Sequence, residues 1–338
     1  MRTIEIALML GVLFPLQALR AGEEPRKLGP FGAECRVVFT PDGKALAVTL
    51  RGGTAALVDL ESGRRTTRYT GLEEGSESAL AVSPDGSKLA LGTLEGVVKV
   101  YETKGGKELL TVNHGGAVHS LAFSADGKVL VTAGGLPTKE IPAEGEEGEG
   151  GEAPDPEGPT ARTWDVSTGE PGSALDAGSG NTGSGVAASP KGPIVALARA
   201  DGKLELFNLG EKKRHAVEAG ASATVVAFSP DGKLVAVLGG KDGAAATIVD
   251  VGAGSVLRTA GAGAPASVQG ALAFSPDGKW LARGTPEVDG VQLFSVESGK
   301  LERTIGAGQV ASLAFSPDGK WLAAGLRTGD VLLLDPSK

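Results

Sequence analysis

Phe315-Ser316-Pro317-Asp318-Gly319-Lys320 is the last of seven related phrases. The same six residue types stand at Phe228–Lys233 and Phe274–Lys279, and variants begin at Phe39 (FTPDGK), Val82 (VSPDGS), Phe123 (FSADGK) and Ala188 (ASPKGP). The acid's position recurs at Asp42, Asp85, Asp126, Lys191, Asp231, Asp277 and Asp318, at intervals of 43, 41, 65, 40, 46 and 41 residues. Each phrase lies between two apolar runs, such as Val310–Phe315 and Trp321–Leu326, and so reads as a turn joining two strands. Pro presets φ, Asp bonds its own backbone, and Gly takes φ > 0 without strain. Gly43, Gly86, Gly127, Gly192, Gly232, Gly278 and Gly319 complete the series without exception, while Pro gives way to Ala125 and Asp to Lys191. That pattern describes a backbone requirement rather than a ligand site.

A second turn follows about ten residues later in most units, at Glu95-Gly96, Asp201-Gly202, Asp242-Gly243 and Asp289-Gly290. A third strand comes next (Val97–Tyr101, Leu204–Asn208, Val331–Leu334), and then a Ser-Gly or Gly-Gly turn at Ser62-Gly63, Gly105-Gly106 and Ser298-Gly299 announces a fourth. Four strands in about 42 residues is the period of a propeller blade. The expectation is an all-β, seven-bladed β-propeller of four-stranded antiparallel blades. The chain ends at Lys338 before the seventh unit has a fourth strand. Pro25–Phe31, ahead of the first unit, is the expected donor, pairing beside Val331–Leu334 and closing the ring. Closure removes two sheet edges that would otherwise be open to aggregation.

Over nearly all of the chain after its first two dozen residues, the repeats resemble the WD40 family. The third unit carries the resemblance furthest. Trp164-Asp165 followed by Thr168-Gly169 matches the WD dipeptide and its turn, His114 stands where the family's Gly-His histidine falls, and Thr132 stands at its strand hydroxyl. The resemblance implies a hydrogen-bonded network of His, Ser/Thr, Asp and Trp within a blade, of which His114, Thr132 and Trp164 would form a part. The other units place Val48, Leu91, Leu197, Val237, Arg283 and Ala324 at the hydroxyl position, and third strands end in Tyr101, Phe207 or Phe294 instead of Trp. Those blades are expected to be held by packing. The phrase SPDGK is also similar to the repeats of TolB-like propellers.

Aromatic residues make up only 4% of the chain and glycines number 53, so the blades must pack with small side chains. Leu121-Ala122-Phe123, Val226-Ala227-Phe228, Leu272-Ala273-Phe274 and Leu313-Ala314-Phe315 put alanine at one matching site, expected to lie close against a neighbouring blade. Strands covered on both faces are apolar on both faces.

Residues 1–22 read as a signal peptide, with Arg2, the apolar run Ile6–Phe14 and possible cleavage after Ala18 or Ala21. The run is short for a membrane span. The expectation is export to the periplasm or medium, with an N-terminal membrane anchor as the alternative and no membrane insertion of the mature chain. Residues 23–338 form the propeller, interrupted by an insertion at 137–160 with eight acids (Glu140 to Glu157) and one base, Lys139. So acidic and apolar-poor a segment is expected to be disordered. Calcium ligation is disfavoured because its acids lack the alternating spacing of a calcium loop. The insertion carries most of the net charge of −8, which leaves the propeller body near neutrality and argues against nucleic acid as a partner. Cys35 stands alone and reads as a buried thiol.

The three histidines, His114, His119 and His215, have no second ligand at metal-binding spacing, and no nucleophile elbow, zinc-protease helix or P-loop occurs. The glycine clusters Gly178–Gly185 and Gly261–Gly263 precede no helical pattern and read as loops. No catalytic residue, cofactor or metal is assigned. The expected function is that of a non-catalytic, monomeric scaffold outside the cytoplasm that binds a protein or glycan. The competing expectation is a propeller hydrolase or lactonase-like enzyme with a metal in the central channel.

Overall fold

The computed structural model describes residues 25–31, 35–50, 54–72, 77–135, 160–175, 183–199, 201–220, 225–238, 246–261, 270–285 and 288–338. The expected signal peptide, the Asp242-Gly243 turn, residues 178–182 and 262–263 of the two glycine clusters, and all of the acidic insertion except Thr160 lie outside those residues. The described chain is all-β, with 28 strands in seven antiparallel sheets of four.

Blade 1 comprises β2 (Val37–Phe39), β3 (Ala45–Leu50), β4 (Thr54–Asp59) and β5 (Arg65–Tyr69). Blade 2 holds β6 (Glu77–Val82), β7 (Lys88–Thr93), β8 (Val97–Glu102) and β9 (Glu108–Asn113). Blade 3 holds β10 (Val118–Phe123), β11 (Val129–Gly134), β12 (Ala161–Asp165) and β13 (Pro171–Ala174). Blade 4 is β14 (Gly183–Ala188), β15 (Ile194–Arg199), β16 (Lys203–Asn208) and β17 (Lys213–Glu218). Blade 5 is β18 (Val226–Phe228), β19 (Leu234–Leu238), β20 (Ala246–Asp250) and β21 (Ser255–Ala260). Blade 6 is β22 (Ala271–Phe274), β23 (Trp280–Gly284), β24 (Val291–Ser295) and β25 (Leu301–Ile305). Blade 7 takes β26 (Val310–Phe315), β27 (Leu322–Leu326) and β28 (Val331–Leu334) from the end of the chain and β1 (Arg26–Leu28) from its start.

The ring therefore closes through its N-terminal segment. β1 pairs antiparallel with β28, Arg26 opposite Leu333 and Leu28 opposite Val331. Phe31 N–H donates to Gly329 O at 2.8 Å, and the Ser312 hydroxyl donates to Cys35 O at 2.8 Å, tying blade 7 to the start of blade 1. The Lys27–Asp330 ion pair (2.8 Å) adds little, because Lys27 is exposed. Cys35 is buried and its thiol points at Asp330 O, 3.3 Å away. Burial pushes its pKa up to about 11, which keeps it an unreactive thiol.

The buried apolar residues form seven clusters, one at each seam between neighbouring blades. Successive strand residues point to opposite faces, so in the four innermost strands that end in Ala-Phe (β10, β18, β22 and β26) the two side chains look in opposite directions. Phe274 belongs to the seam of blades 5 and 6, and Ala273 to that of blades 6 and 7. Ala122, Ala227 and Ala314 likewise pack toward the following blade. Between blades 1 and 2 two tyrosines do this work. The rings of Tyr69 and Tyr101 lie 5.4 Å apart, and their hydroxyls donate to Thr103 O and Thr70 O, both at 2.8 Å. Burial raises both phenols to about 12.

Candidate functional site

Antiparallel order puts the turns joining the first to the second and the third to the fourth strand of each blade on one face of the ring. The seven repeated phrases all lie there. Six of them share one construction, which begins with a buried hydroxyl. Thr40, Ser83, Ser124, Ser229, Ser275 and Ser316 each donate to the acid two residues on, at 2.6–2.7 Å. The same oxygen accepts the backbone N–H five residues on, at 2.9–3.0 Å. The acid also accepts the N–H two residues beyond itself at 3.0–3.1 Å. Gly43, Gly86, Gly127, Gly232, Gly278 and Gly319 sit at φ of 68–73°, where a side chain would be strained. The hydroxyl residue is the part that motif reading missed. Its signal was available, since all seven phrases carry Ser or Thr at this position.

The hydroxyl donors hold the carboxylates of Asp42, Asp85, Asp126, Asp231 and Asp318 below their usual range, Asp85 to about 2. For Asp277, burial pulls upward but the Ser275 and Lys279 bonds prevail. These acids are thus committed to their own turns.

The fourth phrase departs from this plan. Lys191 replaces the acid, and Pro193 replaces the residue whose N–H the acid would accept, so both partners of one hydrogen bond are lost together. Ser189 is still buried, but its oxygen accepts from Lys191 N–H at 3.3 Å. Gly192 does not adopt the left-handed conformation, unlike its six counterparts. The expected need for glycine at this turn is corrected here: without the acid's bonds, nothing draws the backbone into positive φ.

Blade 3 brings its three singled-out residues together. Trp164 Nε1–H donates to Thr132 Oγ1 at 3.0 Å, and Thr132 Oγ1 lies 2.9 Å from His114 Nδ1. All three are buried, and Leu130 and Trp164 stand opposite each other across β11 and β12. The other two histidines do not join them. His119 occupies a register shift in β10 between Val118 and Ser120, and its pKa is lowered by burial and then by the Arg36 charge. His215 lies on β17, its Nε2 2.7 Å from Gly254 O of the next blade. Among the described residues no three of His, Cys, Asp and Glu converge as a metal site.

Seven four-stranded sheets around one axis, with the two ends of the chain sharing the last sheet, define the closed seven-bladed propellers. The solved propeller domain of Cps50 (Swd1) from Myceliophteria thermophila has the same fold, with a TM-score of 0.75 and 15% identity over 92% of this chain and 99% of that one. The family model described as WD domain, G-beta repeat matches residues 106–135, from the outer strand of blade 2 into blade 3, and residues 299–333, from blade 6 through blade 7. Those two stretches match the WD40 repeat, and the described chain around them has the seven-bladed propeller fold.

Among curated proteins, the chain is 31% identical over 97 residues to "WD repeat-containing protein SL1-17" of Schistosoma mansoni. It is 33% identical over 102 residues to "U3 small nucleolar RNA-associated protein 18 homolog" of Arabidopsis thaliana. It is 27% identical over 275 residues to "Telomerase protein component 1" of Rattus norvegicus. These matches cover 29%, 30% and 76% of this chain, and 32%, 19% and 9% of the respective relatives. The chain thus spans about a third or less of the length of each.

Proposed function

We propose that this chain is a non-catalytic scaffold, exported from the cytoplasm, that presents the loop faces of a rigid ring to a protein partner. The observation that carries the reading is where the polar side chains are spent. Turn acids, the turn hydroxyls and the His114–Thr132–Trp164 set bond within their own repeat and fix its geometry. A preorganised surface binds with less ordering cost. Two relatives bear names that place them with a larger assembly, one as an RNA-associated protein and one as a telomerase component. Export is argued from the sequence of residues 1–22.

The test is affinity capture from the source cells with tagged mature chain, with elemental analysis of the same preparation. A stoichiometric protein partner, together with a mature N-terminus near Ala18 or Ala21 in the exported fraction, is the expected result. Stoichiometric metal with hydrolysis of ester or lactone substrates would overturn the scaffold reading, and an intact Met1 in the cytosol would overturn export. A glycan bound with no protein partner would move the partner class.

A further inference from the structure

We infer that the seam between blades 3 and 4, on the turn face, is a docking cleft for a partner segment that presents a carboxylate beside a bulky apolar side chain. The inference rests on the scaffold reading and names the surface and the chemistry of the partner.

At four places on this face the proline of one turn touches the glycine of the next, and at Gly232 the side chains of Ser189 and Lys191 take that place. A Cβ at Gly43 would meet Pro317 at 3.5 Å, at Gly86 Pro41 at 3.2 Å, at Gly127 Pro84 at 3.9 Å and at Gly319 Pro276 at 3.9 Å. At Gly192 and Gly278 nothing lies within 4 Å. Of those two seams, only the one between blades 3 and 4 also lacks the proline, because Ala125 stands in its place. The position that starts the second strand matters as well. The residue that follows each phrase is Trp280 in blade 6, which walls the next seam, and Trp321 in blade 7, which packs into the closure seam; it is Val129 in blade 3, and Ala45 in blade 1, where the phrase keeps its proline. Two small residues therefore coincide at one seam. A cleft of about 690 Å³ opens there, against about 460 Å³ between blades 6 and 7.

Its floor is apolar. Val129 and Leu209 lie partly buried over the cluster of that seam, flanked by Pro190 and Ala125. Its charge is one-sided. Asp126 on the blade 3 wall spends its carboxylate on Ser124 and the Lys128 N–H. Lys191 on the blade 4 wall is exposed and makes no ion pair among the described residues. An ammonium above an apolar floor complements a carboxylate next to an apolar anchor, and an anchor seated in a pocket carries most of the binding energy of such a contact.

The experiment is selection of a random linear peptide library on the immobilised full chain, followed by polarisation titration of the consensus peptide. The titration compares wild type with Lys191→Asp and Val129→Trp. The second variant fills the cleft with the residue that blades 6 and 7 already carry at that position, and thermal unfolding confirms that both variants fold. The expected result is a consensus with Asp or Glu beside a large apolar residue, bound at least tenfold more weakly by each variant and more weakly as salt rises. A consensus bound equally by all three proteins overturns the cleft while leaving the scaffold reading intact. Enrichment of basic peptides, tighter binding by Lys191→Asp, or no enrichment over heat-unfolded protein also overturns it. The capture experiment tests the scaffold reading independently of all these outcomes.

Discussion

Blades 3 and 4 are neighbours with the same topology and opposite chemistry. Where blade 3 has Thr132, Trp164, Asp126 and Asp165, blade 4 has Leu197, Phe207, Lys191 and Asn208 at equivalent register positions. Both form four-stranded sheets of similar length. The polar network is therefore one of two ways to fill the same blade, and packing alone suffices. The difference is in what failure would cost. A buried network must be satisfied throughout, whereas an apolar blade only has to fill its volume.

Thr132→Val attacks the polar blade at its centre and should have the largest effect. It strands the Trp164 indole N–H and removes the oxygen beside His114, at about 1–3 kcal/mol for each buried group left without a partner. Adding Trp164→Phe should recover part of the loss in urea denaturation, because the stranded donor goes with it. If the double variant is as unstable as the sum of the singles, the network is not a unit.

Packing between blades is tested by Ala273→Leu, at the seam of blades 6 and 7. Overpacking should cost about 1–3 kcal/mol, and an unchanged urea midpoint would show that the seam has slack. The turns give a sharper contrast. Gly127→Ala forces a side chain into left-handed backbone and should cost about 1–2 kcal/mol. Gly192→Ala meets no positive φ and no neighbour, and should be neutral or stabilising by up to about 1 kcal/mol. Equal losses at the two glycines in thermal melts would refute the distinction between the turns.

The smallest effect is on acid stability. A turn carboxylate whose folded pKa is depressed contributes stability above its ordinary value near 4, and that contribution is lost as pH falls through the folded pKa. With Asp85 near 2, the window runs from about pH 4 down to about pH 2. Replacing Asp126 with Asn should flatten this limb of the pH–stability curve. The fourth turn, having no acid, contributes nothing there, so a Lys191→Met variant should leave the limb as it is.

The repeats made the hairpins legible because each turn is a local matter. Its hydroxyl, acid and glycine lie within six residues and set one another's geometry. The ring closure was legible for a related reason: a unit one strand short needs a donor, and β1 is that strand. The alanines of the innermost strands could be placed toward a neighbour from strand alternation alone. The conformation of Gly192 was not legible from the glycines themselves; its sign was Lys191 and Pro193, which remove both partners of the acid's bond to the turn. The cleft was not legible either. Ala125 and Lys191 are separate exceptions in two phrases, 66 residues apart, and the sequence does not show that they share a seam.

Blade count, strand order within a blade and the chemistry of the repeated turn were written in the chain itself, because they depend on dihedral preferences and hydrogen bonds among near neighbours. Which seams pack tightly and which stand open was decided only when blades met. A seam is the sum of side-chain volumes supplied by two segments about 40 residues apart, or by opposite ends of the chain at the closure, and neither segment specifies the fit alone.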